Sequence, residues 1–379
     1  MPWKSKTPVD LRNEFMKRVM KGETVAELCR EFGISRKTGD KFKQRFKRLG
    51  EAGLLDQSRA PKVIPHRTAP ETVKLLVEEK KRHPSWGPKK LKAVLEERLH
   101  CSLPATSTIG DILERAGLVV KRGRRRAVPP QPTTLREAQA PNDVWCIDYK
   151  GQFRLGDRSL CYPLTLTDQR SRFVLGCDAM AAISDEEARE SCEEIFRRYG
   201  LPKAMRSDNG VPFASTGLAN LTRLSVYWLQ LGIELERIRP AHPEENGQHE
   251  RMHRTLKFET TRPPRTNLLQ QQERFNEWVE EFNNDRPHEA LGMKRPAQLY
   301  KPSPRKLPTV LPELDYPQHD DVLAVDKAGY ICVRRRRSYL STALAYQKVG
   351  VREELDGRWL VSFAKIDIGY VDHSGFSPL

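Results

Sequence analysis

Between Val144 and Thr260 the apolar residues keep a strand period three times in succession, then alternate between helix and strand. That order constrains the fold more than any other feature of the chain. Val144 to Phe153, Leu160 to Thr167 and Phe173 to Met180 read as three antiparallel strands joined by hairpin-length turns. Ser184 caps a helix from Asp185 to Tyr199, which Gly200 and Pro202 stop. A short strand, Ala204 to Ser207, leads into Asp208-Asn209-Gly210. A helix from Asn220 to Leu231, a strand from Ile233 to Ile238 and a helix from Asn246 to Thr260 complete the run. Strands in sequence followed by alternating helices imply a sheet with helices laid against it.

Three carboxylates stand out within this run. Asp148 sits mid-strand beside Ile147 and Cys146, where a buried charge is costly unless a cation offsets it. Asp208 ends a strand, and Asn209-Gly210 lets the backbone turn away from it. Glu250 falls in the first turns of a helix. His253, Arg254 and Lys257 follow at i+3, i+4 and i+7 on its own face, while Met252 and Leu256 lie nearly opposite and pack inward. Hard divalent ions take oxygen ligands, and a two-metal phosphoryl-transfer site keeps open positions for the attacking and leaving oxygens. Any one such acid is ordinarily a surface or strand-end carboxylate. Asp168 reads as part of a hairpin turn, Glu244 and Glu245 precede the helix, and Glu259 points to its far side.

The motifs around these acids resemble those of the DDE transposases of bacterial insertion sequences that have a retroviral-integrase-type core. The matching residues are Trp145-x-x-Asp148, Ser207-Asp208-Asn209-Gly210 and His242-Pro243-x-x-Asn246-Gly247-x-x-Glu250-Arg251, with 41 residues between Asp208 and Glu250. A tail, Phe282-Asn283-x-x-Arg286-Pro287-His288-x-x-Leu291-Gly292, then Pro296-Ala297, matches as well. The resemblance covers about residues 142–302 and implies a ribonuclease-H-like α/β catalytic core. It further implies Asp148, Asp208 and Glu250 as catalytic residues holding two Mg²⁺ ions, with Mn²⁺ an expected substitute. Asp148 is then expected to bridge both ions. The implied chemistry cuts one strand at an element end with water and joins the freed 3′-hydroxyl to a target, without a covalent protein–DNA intermediate. Asn209, His242, Arg251, Arg254 and Lys257 become the expected DNA contacts near the acids.

Charge separates the ends of the chain. Residues 1–126 hold 31 Lys/Arg against 15 Asp/Glu, whereas the remainder holds 35 of each. The whole excess of +16 therefore lies in the N-terminal third, the footprint of a polyanion-binding region. Leu11, Phe15 and Val19 give a first helix, Val9 to Met20; Thr24 caps a second lined by Val25, Leu28 and Phe32. Gly33-Ile34-Ser35 turns into a third helix through Phe46. That third helix carries Arg36, Lys37, Lys41, Lys43 and Arg45, the pattern of a helix-turn-helix with its last helix in a major groove. A plain three-helix bundle with a solvated face is the blander alternative. Residues 51–69 read as a linker. Glu71 to Lys81, Pro88 to Arg98 and Ser107 to Ala116 form a second such unit, possessed of a wing in many proteins of this shape. Arg122, Arg124, Arg125 and Arg126 make a phosphate-contacting tail. His66, His83, His100 and Cys101 match no zinc spacing.

Seven scattered cysteines without a CxxC pair suit a reducing compartment. No apolar run approaches the ~18–20 residues of a membrane span, and no signal-peptide core is seen. A cytoplasmic, nucleoid-associated bacterial protein with no membrane partner is expected. After a helix from Leu268 to Asn284, repeated prolines mark a linker. Residues 320–379 give five strands: Val322 to Val325, Tyr330 to Arg336, Lys348 to Glu353, Arg358 to Phe363 and Asp367 to Val371. They suggest a small SH3-like β-barrel, with Arg334 to Arg337 available to DNA or a subunit.

A multidomain α+β protein follows. The expected plan is a helix-turn-helix domain at 1–57, a linker at 58–69, a second helix-turn-helix at 70–126 and a linker at 127–141. The catalytic core occupies 142–302, a linker 303–319 and the barrel 320–379. The expected partners are double-stranded DNA, as terminal inverted repeats of an element and as target, and further copies of the chain in a dimer or tetramer. The rivals are a DNA-binding regulator that keeps the fold without chemistry, and a plain ribonuclease-H-type nuclease.

Overall fold

The computed structural model describes residues 6–58, 67–119, 135–239, 242–373 and 375–379. The chain divides into two compact units, residues 1–68 and 69–379. The first unit holds α1 (Pro8–Met20), α2 (Val25–Glu31) and α3 (Arg36–Leu49). Thr7 and Asp10 close a capping box on α1, and Ser35 caps α3 through the Thr38 amide. Gly39 lets α3 approach α2, because a Cβ there would lie 2.4 Å from Cys29 Sγ. The stretch from residue 51, expected as linker, begins inside this unit: a 3₁₀ turn over Gly50–Leu54 puts Leu54 into the core with Phe15, Leu28 and Phe42.

The second unit starts with α4 (Pro70–Arg82), α5 (Pro88–Leu99) and α6 (Thr106–Arg115), packed on Leu76, Trp86, Leu91, Leu95 and Ile109. The arginine tail at 122–126 and any wing there lie outside the described residues. These helices are docked on the core that follows. His83 stacks on Trp86 and meets Glu281 at 3.0 Å, and Arg295 grips Glu97 at 2.7 Å.

The core contains β1 (Val144–Tyr149), β2 (Phe153–Arg154), β3 (Leu160–Asp168), β4 (Val174–Met180), α7 (Asp185–Tyr199), β5 (Ala204–Ser207), α8 (Arg223–Gln230), β6 (Glu234–Arg237), α9 (Gly247–Thr260) and α10 (Leu268–Asn284). The expected strand Val144 to Phe153 is broken at Gly151, which takes φ +75°; β1 and β2 are its two halves, both paired with β3. Antiparallel pairing joins β4 to β3 and β3 to β1, and parallel pairing joins β1 to β5 and β5 to β6. The helix expected from Asn220 starts later, at Arg223, because Thr222 and Ser225 form its capping box. On one face of the sheet, Trp145, Ile147, Leu164 and Leu166 pack against α7 and α8. On the other, Val174 and Cys177 meet Met252, Leu256, Phe275 and Trp278 of α9 and α10. Side chains alternate along a strand, so Cys146 and Asp148 face α9. This is a ribonuclease-H-like arrangement.

Residues 296–307 strap the sheet. Helix α11 (Pro296–Leu299) is followed by buried Tyr300 and Ser303, and the Ser303 amide donates to Tyr199 O at 2.7 Å. Gly200 ends α7 at φ +79°, and a Cβ on it would lie 2.6 Å from the carbonyl oxygens of both Ser303 and Arg305. We expect Gly200→Ala to destabilise by more than the ~1–2 kcal/mol of left-handed strain alone. A urea midpoint equal to wild type contradicts this.

The C-terminal segment contains β7 (Asp321–Ala324), β8 (Tyr330–Val333), β9 (Arg336–Tyr339), β10 (Lys348–Glu353), β11 (Trp359–Phe363), β12 (Ile366–Val371) and β13 (Phe376–Pro378). The single strand expected over Tyr330 to Arg336 is instead a hairpin, turned at Arg334 and Arg335, which both have positive φ. The five-stranded sheet runs β13-β12-β11-β10-β7 as an open path, so the barrel closure expected from the strand count is not seen among the described residues. Its apolar face packs with Leu218, Leu221, Val226 and Leu229 of the core. The arginines expected to face partners are largely used at home: Arg337 bonds Asp326, Arg336 bonds His373 and Arg334 pairs with Glu353. No described helix is long and apolar enough to cross a membrane.

Candidate active site

Two of the three acids are brought together by the sheet ladder. Cys146 pairs with Arg206 across the parallel β1–β5 ladder. Asp148, still within β1, and Asp208, the residue that follows β5, each lie two residues further on from that pair. Asp208 Oδ1 accepts the Gly210 amide at 3.0 Å, which bends the chain away from the strand. Glu250 lies exposed in the first turn of α9. Burial pushes the Asp148 carboxyl up to about 7, and the charges of Asp208 and Glu250 add to that push against the pull of Lys150. A carboxyl held up by burial and by neighbouring acids is a setting that a divalent cation relieves.

A second set of side chains holds Asp148 from the α9 side. Thr165 Oγ1 lies 3.0 Å from Asp148 O and 2.7 Å from Nε2 of both His249 and His253. Thr167 Oγ1 lies 2.9 Å from His249 Nδ1. Both imidazoles are buried, and burial holds both well below their ordinary pKa, so both are neutral. The hydrogen-bond network assigns the tautomers. With the Thr165 hydroxyl donating to Asp148 O, each Nε2–H donates to Thr165. Thr167 then donates to His249 Nδ1, which leaves His253 Nδ1 a bare acceptor 3.6 Å from Asp148 Oδ2. Two acceptors facing each other leave a position for a proton or a cation.

Among the described residues the tightest group of possible metal ligands is Asp148, His249 and His253, with donor atoms within 4.8 Å of one another. Both nitrogens of His249 are taken by threonines, so it serves as scaffold. Asp208 and Glu250 are not in that group, although their charges reach Asp148; carboxylate oxygens are the ligands that a hard cation takes. Thr165→Val should leave both Nε2–H groups without an acceptor and cost about 1–3 kcal/mol. Thermal unfolding measures it, and no loss means the tautomers are wrongly assigned.

His253 thus departs from the basic face expected for it beside Glu250: it is buried and uncharged, whereas Arg254 and Lys257 are exposed. The i, i+4 spacing of His249 and His253 and the alternation of Thr165 and Thr167 are the signals that mark this layer. Arg251 is exposed on α9. Asn209 donates to Ile238 O at 2.7 Å, and His242, in the chain leading to α9, is half-buried. Asp168 is a buried structural acid that accepts from the Asn142 and Ser171 amides. On α3, Arg36, Lys37, Lys41 and Lys43 are exposed, but Arg45 is half-buried and donates to Leu55 O. Arg122, Arg124, Arg125 and Arg126 lie outside the described residues.

A mixed sheet in this order, with paired acids at the ends of its central strands, defines an integrase core. An integrase core domain is matched over residues 138–243 and again over 231–296, a helix-turn-helix domain over 12–62, and a homeodomain-like domain over 38–113. The chain thus carries an integrase-type core, that of a DDE-type polynucleotidyl transferase. It is similar to the uncharacterized 31.7 kDa protein of insertion element IS407 from Burkholderia multivorans, 27% identical over 228 residues, 59% of this chain and 77% of that one. It is also similar to the uncharacterized 39.2 kDa protein of insertion element IS476 from Xanthomonas euvesicatoria, 28% identical over 231 residues. That match takes in 59% of this chain and 63% of the relative, less than two thirds of its length. The simian T-cell lymphotropic virus intasome in complex with PP2A regulatory subunit B56 gamma aligns with 74% of this chain and 99% of its own, at 18% identity and a TM-score of 0.39.

Proposed function

We propose that the protein binds the terminal inverted repeats of its own mobile element, cuts one strand at each end and transfers the freed 3′-hydroxyl into target DNA. What supports this reading is the pair of integrase-core matches, over 138–243 and 231–296, which take in Asp148, Asp208 and Glu250. These three are the residues that would hold two Mg²⁺ ions, or Mn²⁺ in their place, and the ions would supply Lewis-acid activation of the attacking and leaving oxygens. The chain's own part is positional. Thr165 and the neutral His249 and His253 fix Asp148 from behind, and exposed Arg254 and Lys257 flank Glu250 for the phosphate backbone. No side-chain nucleophile is needed. Exposed Arg36, Lys37, Lys41 and Lys43 of α3 read the element end in a major groove, and the arginines at 122–126 track phosphates. The C-terminal sheet serves as the SH3-like module of this assembly. Joining two ends to one target calls for a dimer or tetramer, acting in the nucleoid. The test is incubation of the full chain with Mg²⁺, a duplex of its element end and a plasmid. Joined product supports the reading, and none under any divalent ion overturns it.

A further inference from the structure

A cavity of about 230 Å³ opens beside α9, and Cys146, Thr167 and His249, next to the layer that holds Asp148, form part of its wall. Cations line it in order of depth. Arg251 and Arg254 are exposed at its mouth, Lys90 of α5 and Arg172 of the β3–β4 turn are half-buried, and Arg286 is buried at its floor. Arg286 is neutralised by Glu259 at 2.7 Å. No ion pair within 4 Å is seen for Lys90, Arg172, Arg251 or Arg254 among the described residues. The acid on the wall, Asp168, is already held by the Asn142 amide and by Ser171. Buried side-chain atoms without a hydrogen-bond partner gather here: Arg172 Nη1, Arg286 Nε, His288 Nε2 and the Oε1 atoms of Gln169 and Gln248. Buried polar groups are normally satisfied, and like charges are not normally drawn into one recess.

We infer that this recess seats a phosphodiester of bound duplex DNA, gripped by Arg172 and Lys90 from two different domains of the chain. The inference rests on the proposed function. Arg251 and Arg254 share α9 with Glu250, so a backbone passing the acids runs over the mouth of the recess. A phosphate here supplies acceptors to the orphaned guanidinium hydrogens and offsets the repulsion among the cations. It also ties the second helix-turn-helix, through Lys90, to the catalytic core.

The test is equilibrium binding of a fluorescein-labelled, random-sequence 30-base-pair duplex to the full chain across a salt series. Lys90→Gln and Arg172→Gln are each expected to flatten the slope of log K against log salt by about 0.9, roughly one counterion per lost phosphate contact. Arg172→Lys should restore most of it. Removing one of several mutually repelling cations should leave the thermal midpoint in phosphate-free buffer at or above that of wild type. Lys90→Gln carries the test even if Arg172→Gln folds poorly. Wild-type slope and affinity in Lys90→Gln and in the double variant overturn the inference. So does a free-anion result, in which inorganic phosphate raises the wild-type midpoint and not the variant's while DNA binding is unchanged. Wild-type strand joining is scored in parallel: joining with unchanged slopes sinks the recess alone, and changed slopes without joining sink the transposase reading alone.

Discussion

Asp208→Asn should lose strand cutting and joining by on the order of a thousandfold or more while still binding element ends. A Lewis-acid ion contributes several kcal/mol to the transition state, and each 1.36 kcal/mol is about a factor of ten in rate. The amide keeps the size and the Gly210 turn contact, so the fold stays intact, and only a charged oxygen is withdrawn from the cation site. Asp148→Asn should be equally inactive, with a second signature. Its carboxyl is half-buried and repelled by Asp208 and Glu250, so the amide should raise the metal-free thermal midpoint and cancel the stabilisation that Mg²⁺ gives wild type. Joining activity surviving in either variant would remove that residue from the cation site.

Arg286→Met is expected to be the most damaging substitution away from the acids. Arg286 is 4% exposed and spans Glu259 with two hydrogen bonds, of 3.1 and 2.7 Å. Glu259 also accepts from Trp278 Nε1 at 2.7 Å, and Arg286 reaches Ser85 in the docked helix-turn-helix. Removing the cation leaves a carboxylate in the α9–α10 core, at a cost of about 3–5 kcal/mol. Replacing both partners, with Glu259→Gln added, should recover part of that loss. Chemical denaturation of the two variants decides it. A single variant as stable as wild type rules out the buried pair as a determinant of the core.

The element order of the core was legible because strand and helix periods differ and Ser184, Gly200 and Pro202 mark their ends. The three acids draw notice only in combination, since nothing about Asp208 alone separates it from an ordinary strand-end carboxylate. The layer behind Asp148 was not. His249 and Thr165 are 84 residues apart, and periodicity tells which face a histidine occupies without telling what that face meets. His253 therefore read as one more basic residue beside Glu250, when burial has stripped its charge. Arg286 lay within a recognisable tail motif, yet its role depends on Glu259, an acid dismissed for pointing the wrong way. Prolines between 296 and 308 suggested a free linker. Here they stiffen a strap whose amides and carbonyls are bonded to the core. The open C-terminal sheet shows the limit of counting strands, because closure depends on pairings that the count does not contain.

The parallel pairing of β1, which carries Asp148, with β5, which leads into Asp208, bears on how such a protein tolerates change. Their separation is a property of main-chain hydrogen bonding, the same for any side chains packed beneath it. Drift in the apolar layers can weaken or strengthen the molecule as a whole, yet the strand ends from which the two acids depart stay at the pitch of the backbone until the sheet itself comes apart.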